Sequence, residues 1–378
     1  MKYPIGIQDF EDLQRNGYAY VDKTNFVYKL ADEGKYYFLS RPRRFGKSLF
    51  LSTLEAYFQG KKELFEGLAI YDLETEWKKY PIFHIDLNTA NFREKDSLYT
   101  VLNDYLTTWE SKYGTRESEA TLALRFKGVI ARAAEKEGCG VVILIDEYDK
   151  PILQTLRAPE LQAEHRAQLK AFYSVLKTQD RYIKFAFLTG VTKFGKVSVF
   201  SDLNNLTDIS MDHRYISICG MTEKELLTNF KEGIGELASA NEDNETETID
   251  KLRMRYSGYH FEENSEEIYN PFSVLNTLAN SRYDDYWFKA DTHTFLIDIL
   301  KKHDYCITDL NKTQVKANMM NNVDSNPIPV IYQSGYLTIK SYDERFKNYQ
   351  LGIPNKEVEE GILNTLLPHG CKTAEMDC

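Results

Sequence analysis

Apolar residues fall along this chain in two alternating patterns. Short blocks rich in consecutive apolar residues occur at 35–40, 81–87, 141–145, 182–190 and 215–219. Between them lie longer stretches in which apolar residues recur at helical spacing. Blocks that do not alternate are expected of strands buried on both faces, as in a parallel sheet covered by helices. Over 47–59, Phe50, Leu54, Tyr57 and Phe58 share one helical face, and Gly60 closes the helix. Ser97–Trp109 carries Leu98, Val101, Leu102, Tyr105 and Leu106 on one side, after a polar connection over 88–96. Further helices are predicted over 117–137, ending at Gly138, and over 159–179. Strands alternating with helices in this way predict right-handed βαβ crossovers and an α/β fold.

The flanks read differently. Residues 1–34 are a lead-in with a helical turn at Phe10–Arg15 and a helix over 25–31, capped by Asp22 or Thr24. Segments placed just before such a strand often pack near the base of a bound nucleotide. After Gly220, Thr222 and Glu225 form a capping box that opens a helix running to about Phe230. An acidic loop over 241–247 precedes a short helix over 248–256. Asn270-Pro271 starts another helix, with proline at its favoured first position. From Tyr283 onward helices alternate with a hairpin whose strands are 336–340 and 348–351, and a final helix spans 356–367. The tail, Gly370 to Cys378, reads as disordered.

One strand-to-helix junction has the layout of a phosphate-binding loop. The run Ser40-Arg41-Pro42-Arg43-Arg44-Phe45-Gly46-Lys47-Ser48-Leu49 puts Gly-Lys-Ser where the helix starts. In such a loop, backbone N–H groups and the helix N-terminus cradle phosphates. The residues of the cradle would be Arg43, Arg44, Phe45, Gly46, Lys47, Ser48 and Leu49. Lys47 would neutralise β- and γ-phosphate charge, and the Ser48 hydroxyl would ligate Mg²⁺. The usual G-x-x-x-x-G-K-[S/T] pattern has glycine where this chain has Arg41. The three arginines of the loop either add charge for a triphosphate or pair with acids or a partner subunit.

The block Val141–Ile145 ends in Asp146-Glu147. A carboxylate at a buried strand end can complete a Mg²⁺ shell, since that cation takes oxygen ligands and keeps its waters. The glutamate beside it can orient and deprotonate an attacking water. Lys47 and Asp146 are far enough apart to leave room for one further strand with its helices, so the two strands carrying them are expected to be adjacent. The fourth block ends at Thr189 and Thr192, candidates for sensing the γ-phosphate. Asp149 and Lys150 read either as an ion pair or as support for the acidic pair, with support favoured, and His84 and His260 as packing or surface residues.

Composition excludes several classes. The 378 residues are 42% hydrophobic and 28% charged, ordinary for a globular chain long enough for two or three domains. A net charge of -10 argues against a surface that attracts nucleic acid throughout. The five cysteines are scattered without a C-x-x-C pair, so neither a zinc site nor a disulfide framework is indicated. No apolar run approaches the roughly 18 residues of a membrane span. The first residues lack the apolar core of a signal peptide. A cytoplasmic protein is expected.

Five stretches together carry a resemblance. They are Tyr20-Val21-Asp22-Lys23-Thr24, the loop Arg41 to Ser48, Ile145-Asp146-Glu147-Tyr148-Asp149-Lys150-Pro151, Ser257-Gly258-Tyr259-His260-Phe261 and Tyr269-Asn270-Pro271-Phe272-Ser273. Over nearly all of residues 1–355 the chain resembles the predicted AAA-ATPase-like proteins of bacteria, relatives of the archaeal-type ATPases in the AAA+ and signal-transduction NTPase group. In that family the arginine-rich loop without the first glycine is the normal form. The resemblance implies a P-loop core over 35–220 with parallel sheet order 5-1-4-3-2, a helical lid over 221–283, and a winged-helix-like segment over 284–355, with a helix and tail over 356–378. It also implies ATP and Mg²⁺ as ligands. Such proteins commonly carry a C-terminal PD-(D/E)xK nuclease domain. Here Glu33-Gly34-Lys35 and Glu76-Trp77-Lys78 match E-x-K without a suitable acid-bearing strand, and nothing after residue 355 is long enough to hold that domain. The expected activity is Mg²⁺-dependent ATP hydrolysis that drives or gates a conformational change. The alternative is a nucleotide-gated switch with little hydrolysis that contacts a protein partner or DNA. A homo-oligomer is a further expectation, since AAA+ relatives often complete their sites with a neighbour's arginine; Arg214, Arg253 and Arg255 are the candidates.

Overall fold

The apolar blocks build a five-stranded parallel sheet, in the order β2-β3-β4-β1-β5. The computed structural model describes residues 1–193, 205–290, 310, 313–320 and 327–366. Its core strands are β1 (Tyr36–Ser40), β2 (Ile82–Asp86), β3 (Val141–Asp146), β4 (Ile183–Gly190) and β5 (Thr207–Asp208). Every residue of β1 and β3 is buried, as their unbroken apolar runs require. Because side chains alternate along a strand, each strand serves two cores. Tyr37, Leu39, Val142, Leu144, Phe185 and Phe187 pack on one face, against α1 (Phe10–Arg15), α2 (Thr24–Glu33), α3 (Lys47–Phe58) and α4 (Ala69–Leu73). Tyr36, Phe38, Val141, Ile143, Ala186 and Leu188 pack on the other, against α5 (Ser97–Tyr113), α6 (Leu122–Glu137), α7 (Lys150–Gln154) and α8 (Pro159–Thr178). Truncating one of these buried aliphatic side chains to alanine is expected to cost about 2–5 kcal/mol.

The strand order is the expected one, with two corrections. First, the fifth strand is Thr207–Asp208, whereas Tyr215–Cys219, expected to be that strand, lies in a 3₁₀ segment, His213–Ile218, and its continuation. Its apolar residues are buried as a strand's would be, but the carbonyls of Tyr215 and Ile216 accept hydrogen bonds from the Arg41 guanidinium instead of a neighbouring strand. Second, β1 and β3 are not adjacent. β4 lies between them and pairs with both, Leu39 opposite Thr189 and Ile145 opposite Leu188.

Beyond the sheet, β6 (Met221–Thr222) and β7 (Ile268–Tyr269) pair beneath the helices α9 (Glu223–Asn229), α10 (Lys231–Ala240), α11 (Glu245–Tyr256) and α12 (Pro271–Asn280). These elements share a separate core that includes Leu226, Phe230, Leu252 and Tyr256. Reciprocal capping boxes start α9 at Thr222 and α11 at Asn244. The expected acidic loop therefore contains the α11 cap, and α10 was not expected at all. The chain continues through α13 (Tyr286–Lys289) to a three-stranded antiparallel sheet, β8 (Gln314–Lys316), β10 (Asn348–Gly352) and β9 (Thr338–Asp343) in that order, with helices Ile328–Gln333 and Lys356–Leu366. Much of the expected winged segment, and the expected disordered tail, lie outside the described residues. Among the described residues, no helix is long and apolar enough to cross a membrane.

Candidate functional site

The carboxyl ends of β1, β3 and β4 open on one edge of the sheet, where α/β proteins place their ligands. Between β1 and α3 the chain makes a loop in which Arg44 (φ 68°) and Gly46 (φ 94°) both take the left-handed conformation. An added Cβ at Gly46 would meet nothing within 4 Å, so it is the backbone angle, not space, that favours glycine there. The turn leaves the N-terminus of α3 without a side-chain cap. Its first N–H groups are thus available to an anion, and left-handed turns of this kind form anion-binding concavities.

Lys47 and Ser48 occupy the first turn of α3. The Lys47 ammonium is buried, 3.3 Å from Glu147 Oε1, and donates to the carbonyls of Arg41 at 3.2 Å and Pro42 at 3.3 Å. The Ser48 hydroxyl donates to Asp146 Oδ2 at 2.5 Å. Glu147 sits at φ 51°, a strained angle for a residue with a side chain, and its N–H donates to Asp146 Oδ1. Burial, together with the neighbouring Glu147 charge, pushes the Asp146 carboxyl up to about 6, against the opposing pull of Ser48 and Lys47. The four residues expected to act on phosphate, metal and water therefore converge from α3 and β3 across the intervening β4.

The two threonines sit elsewhere. Thr189 is fully buried and donates to the Leu39 carbonyl at 3.0 Å, tying β4 to β1. Thr192 is equally buried, and its N–H and hydroxyl both donate to Asp149 Oδ2, at 2.6 and 2.7 Å. Asp149 also accepts from the Val191 N–H. Its carboxylate thus sets the shape of the β4 turn, a supporting position, and it is Val191 that reaches the cleft. Lys150 donates to the carbonyl and side-chain oxygen of Asn88, at 2.8 and 2.7 Å.

The three loop arginines divide. Arg43 and Arg44 are exposed and line the cleft. Arg41 is 1% exposed and points the other way. It donates to the carbonyls of Ser40, Ser210, Tyr215 and Ile216 and stacks on Phe261 with its guanidinium carbon 4.0 Å from the ring centre. Burial lowers its pKa to about 10. Its donors are spent on backbone carbonyls and its face on Phe261, so it braces the back of the loop. Arg214, Arg253 and Arg255 are each engaged within the chain, by Asp212 and Glu33, by Glu223 and Asp250, and by Asp285 and Glu360.

The cleft has a volume of about 520 Å³. Besides the loop, its walls include Pro4–Gln8, Arg93, Phe272 and Trp287. An apolar cavity of about 90 Å³ adjoins it, sharing Pro4, Gly46, Leu49, Pro271 and Leu275 and adding Tyr20, Val21 and Met221. The lead-in thus shares cavity walls with the start of α3. The cleft walls contributed by Pro4–Gln8, Arg93 and Trp287 carry no motif in the sequence, and only the polar 88–96 connection, which holds Arg93, hints at one of them. Among the described residues no group of three or more histidine, cysteine, aspartate or glutamate side chains is arranged to hold a metal. The Ser48 and Asp146 oxygens are a donor set for a hard cation that takes its other ligands from phosphate and water, which is the habit of Mg²⁺.

The chain is similar to known proteins. A family described as "Predicted AAA-ATPase" matches residues 4–200, from the lead-in past the end of β4. A protein of Azotobacter chroococcum mcd 1, described as an uncharacterized protein in the vnfD 5′ region, is 38% identical over 372 residues, covering 97% of this chain and 70% of its own length.

Proposed function

This chain belongs to the predicted AAA-ATPase family, and on that footing we propose that it binds ATP with Mg²⁺ in the cleft and hydrolyses it. The observation that carries the reading is the convergence of Ser48 on Asp146 at 2.5 Å beside Lys47 and Glu147. The loop N–H groups from Arg43 to Leu49 and the start of α3 bind the phosphates. The adjoining apolar cavity, lined by Leu49, Val21 and Pro271, takes the base and excludes water from it.

Lys47 donates to two loop carbonyls and to Glu147, so it is already aimed at the cleft. A bound β,γ-phosphate replaces Glu147 as its anionic partner. Glu147, released, orients a water and takes its proton. Ser48 and Asp146 would hold Mg²⁺, which would offset phosphate charge and polarise the phosphoryl group. Thr189 and Thr192, with hydroxyls committed to Leu39 and Asp149, act by fixing the β4 turn so that Val191 keeps its place in the wall. The test is ATP binding by calorimetry: the wild type binds in Mg²⁺, and Lys47→Ala loses at least about tenfold in affinity. Equal affinity in the two proteins would overturn the reading.

A second reading, a nucleotide-gated switch that hydrolyses slowly, is favoured by how closely the C-terminal segment backs onto the loop. The Trp287 indole N–H donates to the Arg43 carbonyl at 3.1 Å, and Gln333 accepts from the Lys193 N–H at 2.8 Å. Gly335 faces Pro42 so closely that an added Cβ would sit 2.8 Å from the proline Cβ. Residues 221–283 would then act as the lid and the 284–355 segment as the responding part, presenting a surface to a protein partner or DNA. Tight ATP binding without turnover would favour this reading, and salt-sensitive DNA binding would add a nucleic-acid role.

A further inference from the structure

Five cationic side chains line the cleft: Arg43, Arg44, Lys47, Arg93 and Lys150. Lys47 is paired with Glu147, Lys150 is held by Asn88, and Arg44 lies over the Phe272 ring at 4.9 Å. Among the described residues the Arg93 guanidinium makes no ion pair and donates no hydrogen bond, and the residue is exposed on the cleft wall. Exposed arginines on loops are ordinarily just solvated. What separates this one is the clamp on its neighbour. Phe92 is fully buried; its N–H donates to Gln154 Oε1 at 2.8 Å, and its carbonyl lies 2.9 Å from His165 Nε2. His165 is itself buried on α8 and meets the Phe92 ring edge-on. Gln154, which ends α7 just beyond the Asp146-Glu147 pair, is part of the same cleft wall. The Arg93 N–H is fixed in turn by Asn91 Oδ1 at 3.3 Å. Two buried or half-buried polar side chains from the elements that follow β3 therefore hold the backbone of an otherwise exposed polar loop at the point where it presents a guanidinium to the cleft.

We propose that Arg93 is a catalytic residue that binds the terminal phosphate of ATP from within the same chain. The assignment rests on the ATPase reading above. In the step it assists, a water oxygen bonds to the γ-phosphorus while the bond from that phosphorus to the ADP oxygen breaks. The water proton passes to Glu147, and the electron pair of the broken bond leaves with ADP. The Arg93 guanidinium offsets the charge on the γ-phosphate oxygens as they separate from ADP. Arg214, Arg253 and Arg255 are paired within their own chain. With Arg93 in place the site needs no arginine from a second copy.

The test compares wild type, Arg93→Ala and Arg93→Lys for binding of ADP and of a non-hydrolysable ATP analogue in Mg²⁺, and for ATP turnover. Thermal melting serves as the folding control. For Arg93→Ala the expected result is a loss of analogue affinity of about tenfold or more with ADP affinity unchanged. Turnover should fall by roughly 10³-fold or more. Arg93→Lys should recover part of the analogue affinity. An Arg93→Ala protein that melts like wild type but keeps its preference for the analogue, or that loses ADP and analogue alike, overturns the assignment while leaving the ATPase reading intact. A wild type that binds neither nucleotide overturns the ATPase reading itself, and Arg93 with it.

Discussion

The Ser48 hydroxyl lies 2.5 Å from Asp146 Oδ2, joining the first turn of α3 to the end of β3 over the intervening strand β4. This one contact brings together two segments that are distant in sequence, each with an oxygen suited to the same hard cation. Ser48→Ala and Asp146→Asn are each expected to weaken Mg²⁺-dependent ATP binding by at least about tenfold. Both should leave the much weaker Mg²⁺-free binding nearly unchanged. Calorimetric titration of ATP with and without Mg²⁺ reads the difference.

Arg41→Gly would restore the glycine of the usual phosphate-loop pattern, yet it is expected to destabilise the protein. The guanidinium satisfies the buried carbonyls of Ser40, Tyr215 and Ile216 and the half-buried one of Ser210, and stacks on Phe261. Leaving such groups unpaired, and opening a cavity, is expected to cost roughly 3–5 kcal/mol. Chemical denaturation of wild type and variant measures it.

The case of Arg41 also marks where the sequence stops being legible. Lys47, Ser48, Asp146 and Glu147 were readable because each sits within a few residues of the strand end or helix start that places it. The capping box at Thr222 and the Asn270-Pro271 start were readable for the same reason. Apart from the adjacent Ser40 carbonyl, the partners of Arg41 lie some 170 to 220 residues away, so no local pattern distinguishes a brace from a phosphate ligand. The segment after Asp212 has the apolar content of a strand, but its carbonyls are taken by Arg41, and a 3₁₀ turn results. The α10 helix was hidden by Gly233 and Gly235, poor helix formers that break the expected pattern. The cleft walls from Pro4–Gln8 and Arg93 are loops, and tertiary packing alone sets where loops lie.

Trp287→Phe removes the indole donor to the Arg43 carbonyl while keeping an aromatic ring beside Tyr336. The lost hydrogen bond is expected to cost about 1 kcal/mol. Trp287 lines the cleft, and the other two tryptophans, Trp77 and Trp109, are not part of its wall. ATP should therefore change the intrinsic tryptophan fluorescence of the wild type, and most of that change should vanish in the variant.

Stability should depend on pH through Glu357. Its carboxylate is fully buried, with oxygens 2.9 Å from the Ser273 hydroxyl and the Trp287 N–H. Burial pushes its pKa from the ordinary 4.5 to about 8, although both hydrogen bonds pull the other way. Between those values the folded chain holds a proton that the unfolded chain has released. The stabilisation is complete below the lower value and is lost as pH rises through the upper one. Melting temperature should fall across that window in the wild type, and Glu357→Gln should flatten the decline. Thermal melts at several pH values check it.

The central claim is that Glu147 deprotonates the water that attacks ATP at a site built by Lys47, Ser48 and Asp146. The most direct measurement is Mg²⁺-dependent phosphate release from ATP by the wild type and by Glu147→Gln, with ATP affinity measured on the same samples. The account predicts that turnover falls by about 10²-fold or more in the variant while ATP affinity is retained. Equal, background-level rates in the two proteins would contradict it.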